Sequence, residues 1–181
     1  MSRVEIRGAR RSFDGREVVR PVDLDIPAGQ FVSIIGPSAS GKSTLLRMVA
    51  GLLAPSSGTI TLDGEPADTA RRRKRIAVVP QFPALLPWRT VAENARLLLE
   101  VNPRQPHDVR DTVALLAEVG LAEAADRLPH QLSGGMQQRV ALVRALALGA
   151  PLLVMDEPFA ALDEITRAEM RVLVKIGRAH V

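Results

Sequence analysis

The sequence predicts an α/β fold built around a phosphate-binding loop, and three observations predict it. First, the apolar run Phe31-Val32-Ser33-Ile34-Ile35 leads into Gly36-Pro37-Ser38-Ala39-Ser40-Gly41-Lys42-Ser43-Thr44. Residues 45–50, Leu-Leu-Arg-Met-Val-Ala, then read as helix. Strand, glycine-rich loop and helix is the context that makes G-x-x-x-x-G-K-[ST] a phosphate site. Second, Ile76-Ala77-Val78-Val79 is a continuous apolar run, as a strand covered on both faces should be. Third, Pro151-Leu152-Leu153-Val154-Met155 is another such run and ends in Asp156-Glu157. Acids at the carboxyl end of a buried strand stand where open α/β sheets bind ligands.

The bulk numbers bound the answer. The chain has 181 residues, enough for one domain, or a domain and a subdomain. Hydrophobic residues make up 46% and aromatic ones 3%, so Leu, Val, Ile and Ala must build the core. There is no cysteine, which excludes disulfides and thiolate metal sites and accords with a reducing compartment. Met1-Ser2-Arg3-Val4-Glu5 lacks the apolar stretch of a signal peptide, and no run reaches the ~20 apolar residues of a membrane span. A soluble chain is expected, with any membrane role exerted through a partner. The net charge is +4, part of it in Arg71-Arg72-Arg73-Lys74-Arg75. A patch for nucleic acid or anionic lipid is one reading of that run; a solvated basic turn is the other. No stacking aromatics are interleaved with the charges, so the turn is preferred and no nucleic-acid partner is expected.

The elements follow in order. Residues 4–7 form a strand, Phe13-Asp14-Gly15-Arg16 a turn, and residues 18–26 a second strand broken by Pro27-Ala28-Gly29. Residues 30–35 form the strand that feeds the phosphate loop, and Gly51 ends the helix after it. Residues 59–62 are a strand, and Asp63-Gly64 is a hairpin-type turn. This opening reads as antiparallel strands wrapped around a P-loop NTPase core. Three prolines in residues 80–88 preclude helix there. The texture then turns helical. Thr90-Val91-Ala92-Glu93 is a capping box, Asp108 is placed to cap a second helix ended by Gly120, and a third runs over residues 134–148 with Gly149 beyond. A last helix is expected from Ile165 onward.

The loop's backbone N–H groups point at an anion, and the helix start adds its positive dipole end. Lys42 reaches the outer phosphates and the Ser43 hydroxyl serves Mg²⁺. Asp156 suits the acid that holds Mg²⁺, and Glu157 suits the group that orients or deprotonates the attacking water. A second anion site is written in Leu132-Ser133-Gly134-Gly135-Met136-Gln137-Gln138-Arg139, where Ser133 is an N-cap and two glycines open a helix. Two phosphate sites in one chain are explained by two chains facing each other across nucleotide. His107 and His130 offer no metal-site spacing. Trp88, the single tryptophan, suits either core packing or contact with a partner.

On these motifs the chain resembles the ATP-binding subunits of ABC transporters. Residues 36–44 match that family's Walker A, Gln81 its Q-loop, residues 132–137 its signature, residues 152–157 with Pro158 its Walker B, and Ala161-Leu162-Asp163 its D-loop. Phe13 stands where the family places an aromatic that stacks on adenine. The resemblance implies an ABC-type core with an N-terminal antiparallel β subdomain and a helical insertion, C-terminally truncated. It divides a single domain into core and β subdomain (residues 1–80 and 150–175), helical subdomain (81–149) and a non-native tail (176–181). It implies that Phe13, Gln81 and Gly36, Pro37, Ser38, Ala39, Ser40, Gly41, Lys42, Ser43 and Thr44 bind ATP. Ser43, Gln81 and Asp156 would surround Mg²⁺, with Glu157 as general base. Ser133, Gly134, Gly135 and Gln137 would contact ATP held by the opposing subunit, with Asp163 at the interface of a homodimer. Residues 81–99 would dock transmembrane permease subunits, with an extracytoplasmic solute-binding protein acting indirectly. The subunit would lie in the cytoplasm, peripheral on the inner face of the membrane. Residues 81–91 and Asp156-Glu157-Pro158-Phe159 are similar to the importers of the nitrate, sulfonate and taurine group. The alternative is an ABC ATPase of DNA repair or translation without a membrane partner.

The sequence departs from that pattern in two places. Ala39 stands where the family usually has Gly; with positive φ it would cost on the order of 1 kcal/mol and weaken ATP binding, and with negative φ it would be harmless. The family's switch histidine lies beyond a further strand, a context that His180 lacks. Residues 176–181 resemble the in-frame translation of a sequencing adapter, so the natural sequence is expected to end near Lys175, with the last residues an artefact of a truncated read. As it stands, the chain is expected to bind ATP and turn it over poorly.

Overall fold

The structure is a computed structural model that describes residues 1–104 and 109–158. The chain divides into two compact units, Met1–Ile76 and Ala77–Val181.

The first unit is an antiparallel sheet with two short helices. The strands are β1 (Val4–Phe13), β2 (Arg16–Ile26), β3 (Ser57–Leu62) and β4 (Glu65–Pro66), in the order β2-β1-β3-β4. Asp14-Gly15 makes the β1–β2 turn and Asp63-Gly64 the β3–β4 turn, all four with positive φ, as tight hairpins require. Val4, Ile6, Ala9, Ile60 and Leu62 are buried on one face. Both expected hairpins form, and β1 runs further than residues 4–7 because both its edges are paired as far as Arg10. The helices are α1 (Lys42–Val49), ended by Gly51, and α2 (Ala67–Arg72). The basic run closes α2, and three of its five cations are paired in place. Arg72 pairs with Asp68, Arg73 with Glu65 at 2.8 Å, and Arg75 with Asp63 and Glu65.

One expectation fails in this unit. Residues 30–35 form no strand, and Ile35 is 93% exposed. An apolar run becomes a strand only when a neighbour supplies the ladder, and this run stands outside both described sheets.

The second unit is mostly helical. Strand β5 (Ile76–Val79) begins at the unit boundary and pairs with β6 (Leu152–Met155); the Asp156 N–H continues the contact, donating to Val79 O at 3.0 Å. The helices are α3 (Val91–Glu100), α4 (Thr112–Glu118) and α5 (Gly134–Leu146), with 3₁₀ turns at Ala122–Ala124 and Pro129–Gln131. Val79, Val91, Ala95, Leu115, Leu121, Val140 and Val143 belong to one core. Thr90 and Glu93 form the expected capping box on α3. Asp108 lies outside the described residues, and Asp111 caps α4, accepting from the Val113 N–H at 2.9 Å. Helix α5 stops two residues short of the expected end, and Gly149 follows with φ 62°. The helix expected from Ile165, the Asp163 segment, Phe159, His107, His180 and the tail also lie outside the described residues.

Candidate functional site

The phosphate loop is closed on itself. Lys42 Nζ donates to Gly36 O at 2.9 Å and to Pro37 O at 2.7 Å, so its ammonium sits inside the ring that residues 36–42 make. Gly41 is the N-cap of α1, with φ 91° and no side-chain cap on the helix. A Cβ at Gly41 would lie 2.6 Å from Val18 O, so both its angle and the close approach of β2 demand glycine. Ser38 and Ser40 are exposed, while Ser43 and Thr44 are half-buried in the first turn of α1. The α1 start has no acid in its first turn, which leaves its dipole for an outside anion. Ala39 has φ 62°, the strained branch of the expectation for that residue.

Phe13, at the end of β1, is exposed and stacked. The Arg11 guanidinium lies 4.6 Å from its ring centroid, and Arg11 Nη1 donates to Ala54 O at 2.8 Å. Arg11 is a contributor the sequence reading missed; its signal was the two-residue spacing that puts both side chains on one strand face.

In the second unit the structure brings Gln81 and Glu157 together. Gln81 Nε2 donates to Glu157 Oε2 at 3.1 Å, across 76 residues of sequence. Glu157 has φ 46°, a left-handed turn immediately after β6 that a glutamate adopts at a cost. Asp156 is half-buried beside it. Strain of this kind at the end of a strand is common where a carboxylate must be aimed.

The Ser133 segment forms as expected. Ser133 caps α5, accepting from the Met136 N–H at 3.2 Å. Gln137 Nε2 donates to Pro129 O at 3.0 Å, which fixes the turn that precedes the cap. A Cβ on Gly134 would meet nothing within 4 Å. At Gly134 the helix start is therefore open among the described residues. His130 lies in the Pro129–Gln131 turn, exposed, away from any metal grouping among the described residues. Trp88 is 73% exposed and Phe82 76% exposed, so neither is core.

Residues 19–160 match the family model described as ABC transporter. The chain belongs to the ABC transporter family. Among relatives of this ABC chain, an aliphatic sulfonates import ATP-binding protein of Agrobacterium fabrum is 48% identical over 98% of this chain and 66% of its own length. Proteins of the same description from Cupriavidus necator and Pseudomonas entomophila are 47% and 48% identical, over 95% and 94% of this chain and 55% and 61% of theirs. The chain thus spans a little over half to two thirds of the length of these relatives. Its fold is similar to the dimeric structure of MJ0796, a bacterial ABC transporter cassette (TM-score 0.84, 33% identity, 97% of this chain and 83% of that one). It is also similar to a bacterial Atm1-family ABC exporter with ATP bound (TM-score 0.84, 25% identity, 99% of this chain and 33% of that one).

Proposed function

We propose that this chain is the ATP-binding and ATP-hydrolysing part of an importer for aliphatic sulfonates. The observation that carries the reading is the loop at residues 36–44, with Lys42 folded over its carbonyls and an uncapped helix start behind it. In this reading an arriving triphosphate takes Lys42 from Gly36 O and Pro37 O, and the loop amides hold the phosphates. Phe13, backed by Arg11, offers its ring to adenine. Ser43 hydroxyl, Gln81 amide oxygen and Asp156 carboxylate are hard oxygen donors, the set that suits Mg²⁺. The ion, when bound, supplies neutralising charge for the β- and γ-phosphates. Gln81 donates to Glu157 through Nε2, which leaves its amide oxygen for that role and holds the Glu157 carboxylate as an acceptor. Glu157 then takes a proton from the water that attacks the γ-phosphorus, giving ADP and inorganic phosphate.

Ser133, Gly134, Gly135 and Gln137 serve the nucleotide of a second copy. The open space over Gly134 supports this, because nothing among the described residues asks for glycine there. The resemblance assigns Asp163, outside the described residues, to the same interface. Exposed Phe82 and Trp88 suit contact with a permease, and that contact would hold the chain at the cytoplasmic face of the membrane. The relatives' printed names favour the importer over an ATPase of DNA repair or translation.

The test is growth and uptake. Bacteria depending on this gene should take up labelled ethanesulfonate, and nitrate or taurine should compete weakly. Glu157→Gln should abolish uptake while the purified protein still binds MgATP, and Lys42→Ala should lose that binding. Undiminished uptake with Glu157→Gln would overturn the reading, as would nucleic-acid-stimulated hydrolysis without a permease.

A further inference from the structure

Residues 80–89 contain three prolines and a non-glycine residue, Ala84, with φ 47°. One turn bond, Arg89 N–H to Leu86 O, lies within the segment, and helix side chains hold much of its backbone. From α3, Asn94 accepts from the Leu86 N–H at 2.8 Å and donates to Leu86 O at 3.1 Å. From α5, Gln138 Nε2 donates to Pro80 O at 3.3 Å. Farther along the same helix, Arg144 Nη1 donates to Ala84 O at 2.8 Å and Nη2 to Pro83 O at 2.6 Å. Arg144 is 8% exposed in the otherwise apolar run Val140-Ala141-Leu142-Val143-Arg144-Ala145-Leu146. Burial lowers its pKa from the ordinary guanidinium value. A buried charge met by carbonyls is a costly way to fill a core, and an apolar side chain of that volume would pack as stably. What the guanidinium adds is a fixed fork onto two consecutive carbonyls.

We propose that Arg144 is a positioning residue that latches the 80–89 segment to the helix carrying Ser133. Ser133 caps α5 and Arg144 lies 11 residues on, about 16 Å along the axis. Through this latch, Gln81, Trp88 and the Ser133 end of α5 move as one body. A push on Trp88 therefore reaches Ser133 through the guanidinium fork and not along the backbone alone. The mechanical meaning of the latch rests on the function proposed above; its existence does not.

The chain carries its own probes. Trp88 is the only tryptophan, and with no native cysteine an acceptor dye can be placed on His130→Cys, an exposed residue just before Ser133. Time-resolved energy transfer from Trp88, measured without nucleotide and well below the melting midpoint, gives the distribution of distances. The expected result is a narrow distribution in the parent and one at least twice as wide in Arg144→Met, with lower Trp88 anisotropy. A side chain that only stabilises would shift the melting midpoint and leave the width alone. Parent-like width in Arg144→Met overturns the proposal. If that variant does not fold, Arg144→Lys decides: one donor in place of a fork should give an intermediate width, and parent width overturns the latch. Because no nucleotide is present, a chain unable to bind ATP would sink the proposed function and leave this measurement intact.

Discussion

The phosphate loop and the 80–89 segment are both irregular, both rich in glycine or proline, and built in opposite ways. The phosphate loop is shaped from within. Its turn comes from Gly41, packed close to the Val18 carbonyl of the neighbouring strand, and its ring is closed by its own Lys42. The 80–89 segment is shaped from without, by buried Asn94, Gln138 and Arg144 reaching in from two helices. A loop that makes its own shape can be read as a motif. A loop that borrows its shape reads only as "not helix".

That contrast is broken most severely at Asn94, which is fully buried and also donates to Arg89 O at 2.9 Å and Thr90 O at 3.0 Å. Asn94→Ala leaves the half-buried Leu86 N–H without its acceptor, and the expected loss is about 2 kcal/mol. Urea unfolding should show it, and amide exchange should rise over residues 82–89. A loss under ~1 kcal/mol would mean that the prolines hold the segment unaided.

Gly41→Ala tests the self-made loop. The new Cβ meets Val18 O at 2.6 Å and takes a φ of 91°, so α1 must back away from β2. The expected cost is about 2 kcal/mol in stability. Binding of a fluorescent ATP analogue should weaken at least tenfold, because the displaced amides are the ones proposed to hold phosphate. Thr90→Ala is smaller. It removes the side-chain acceptor of the Glu93 N–H in the α3 capping box, worth about 1 kcal/mol, and a thermal melt should fall accordingly.

The same contrast explains what was legible beforehand. Gly36–Thr44, Ser133 and Asp156-Glu157 read as motifs because each is local, with a physical reason inside a few residues. The Thr90 cap and the Asp14-Gly15 and Asp63-Gly64 turns were legible for that reason too. Arg144 was not, since its partners lie 60 and 61 residues away and an Arg on a helix normally reads as solvated. Its one signal was the apolar run on either side. Residues 30–35 misled because their composition states only that they want a ladder, and composition cannot say whether one is supplied.

Ala39→Gly is the smallest change and the sharpest test of the self-made loop. Ala39 sits at φ 62°, where an alanine Cβ crowds the following carbonyl and glycine does not. The substitution removes a strain of about 1 kcal/mol, but it also gives the unfolded chain more freedom, which takes back part of the gain. The net expectation is a rise of at most ~1 kcal/mol in stability. If the strained geometry is the one that binds nucleotide, affinity should improve by less than about fivefold, since only the strain is recovered and no contact is added. A gain of a hundredfold in titration would mean that alanine holds the loop in a shape different from the binding one. The loop would then not be made from within, and Lys42 closing on Gly36 and Pro37 would be a consequence of alanine at position 39.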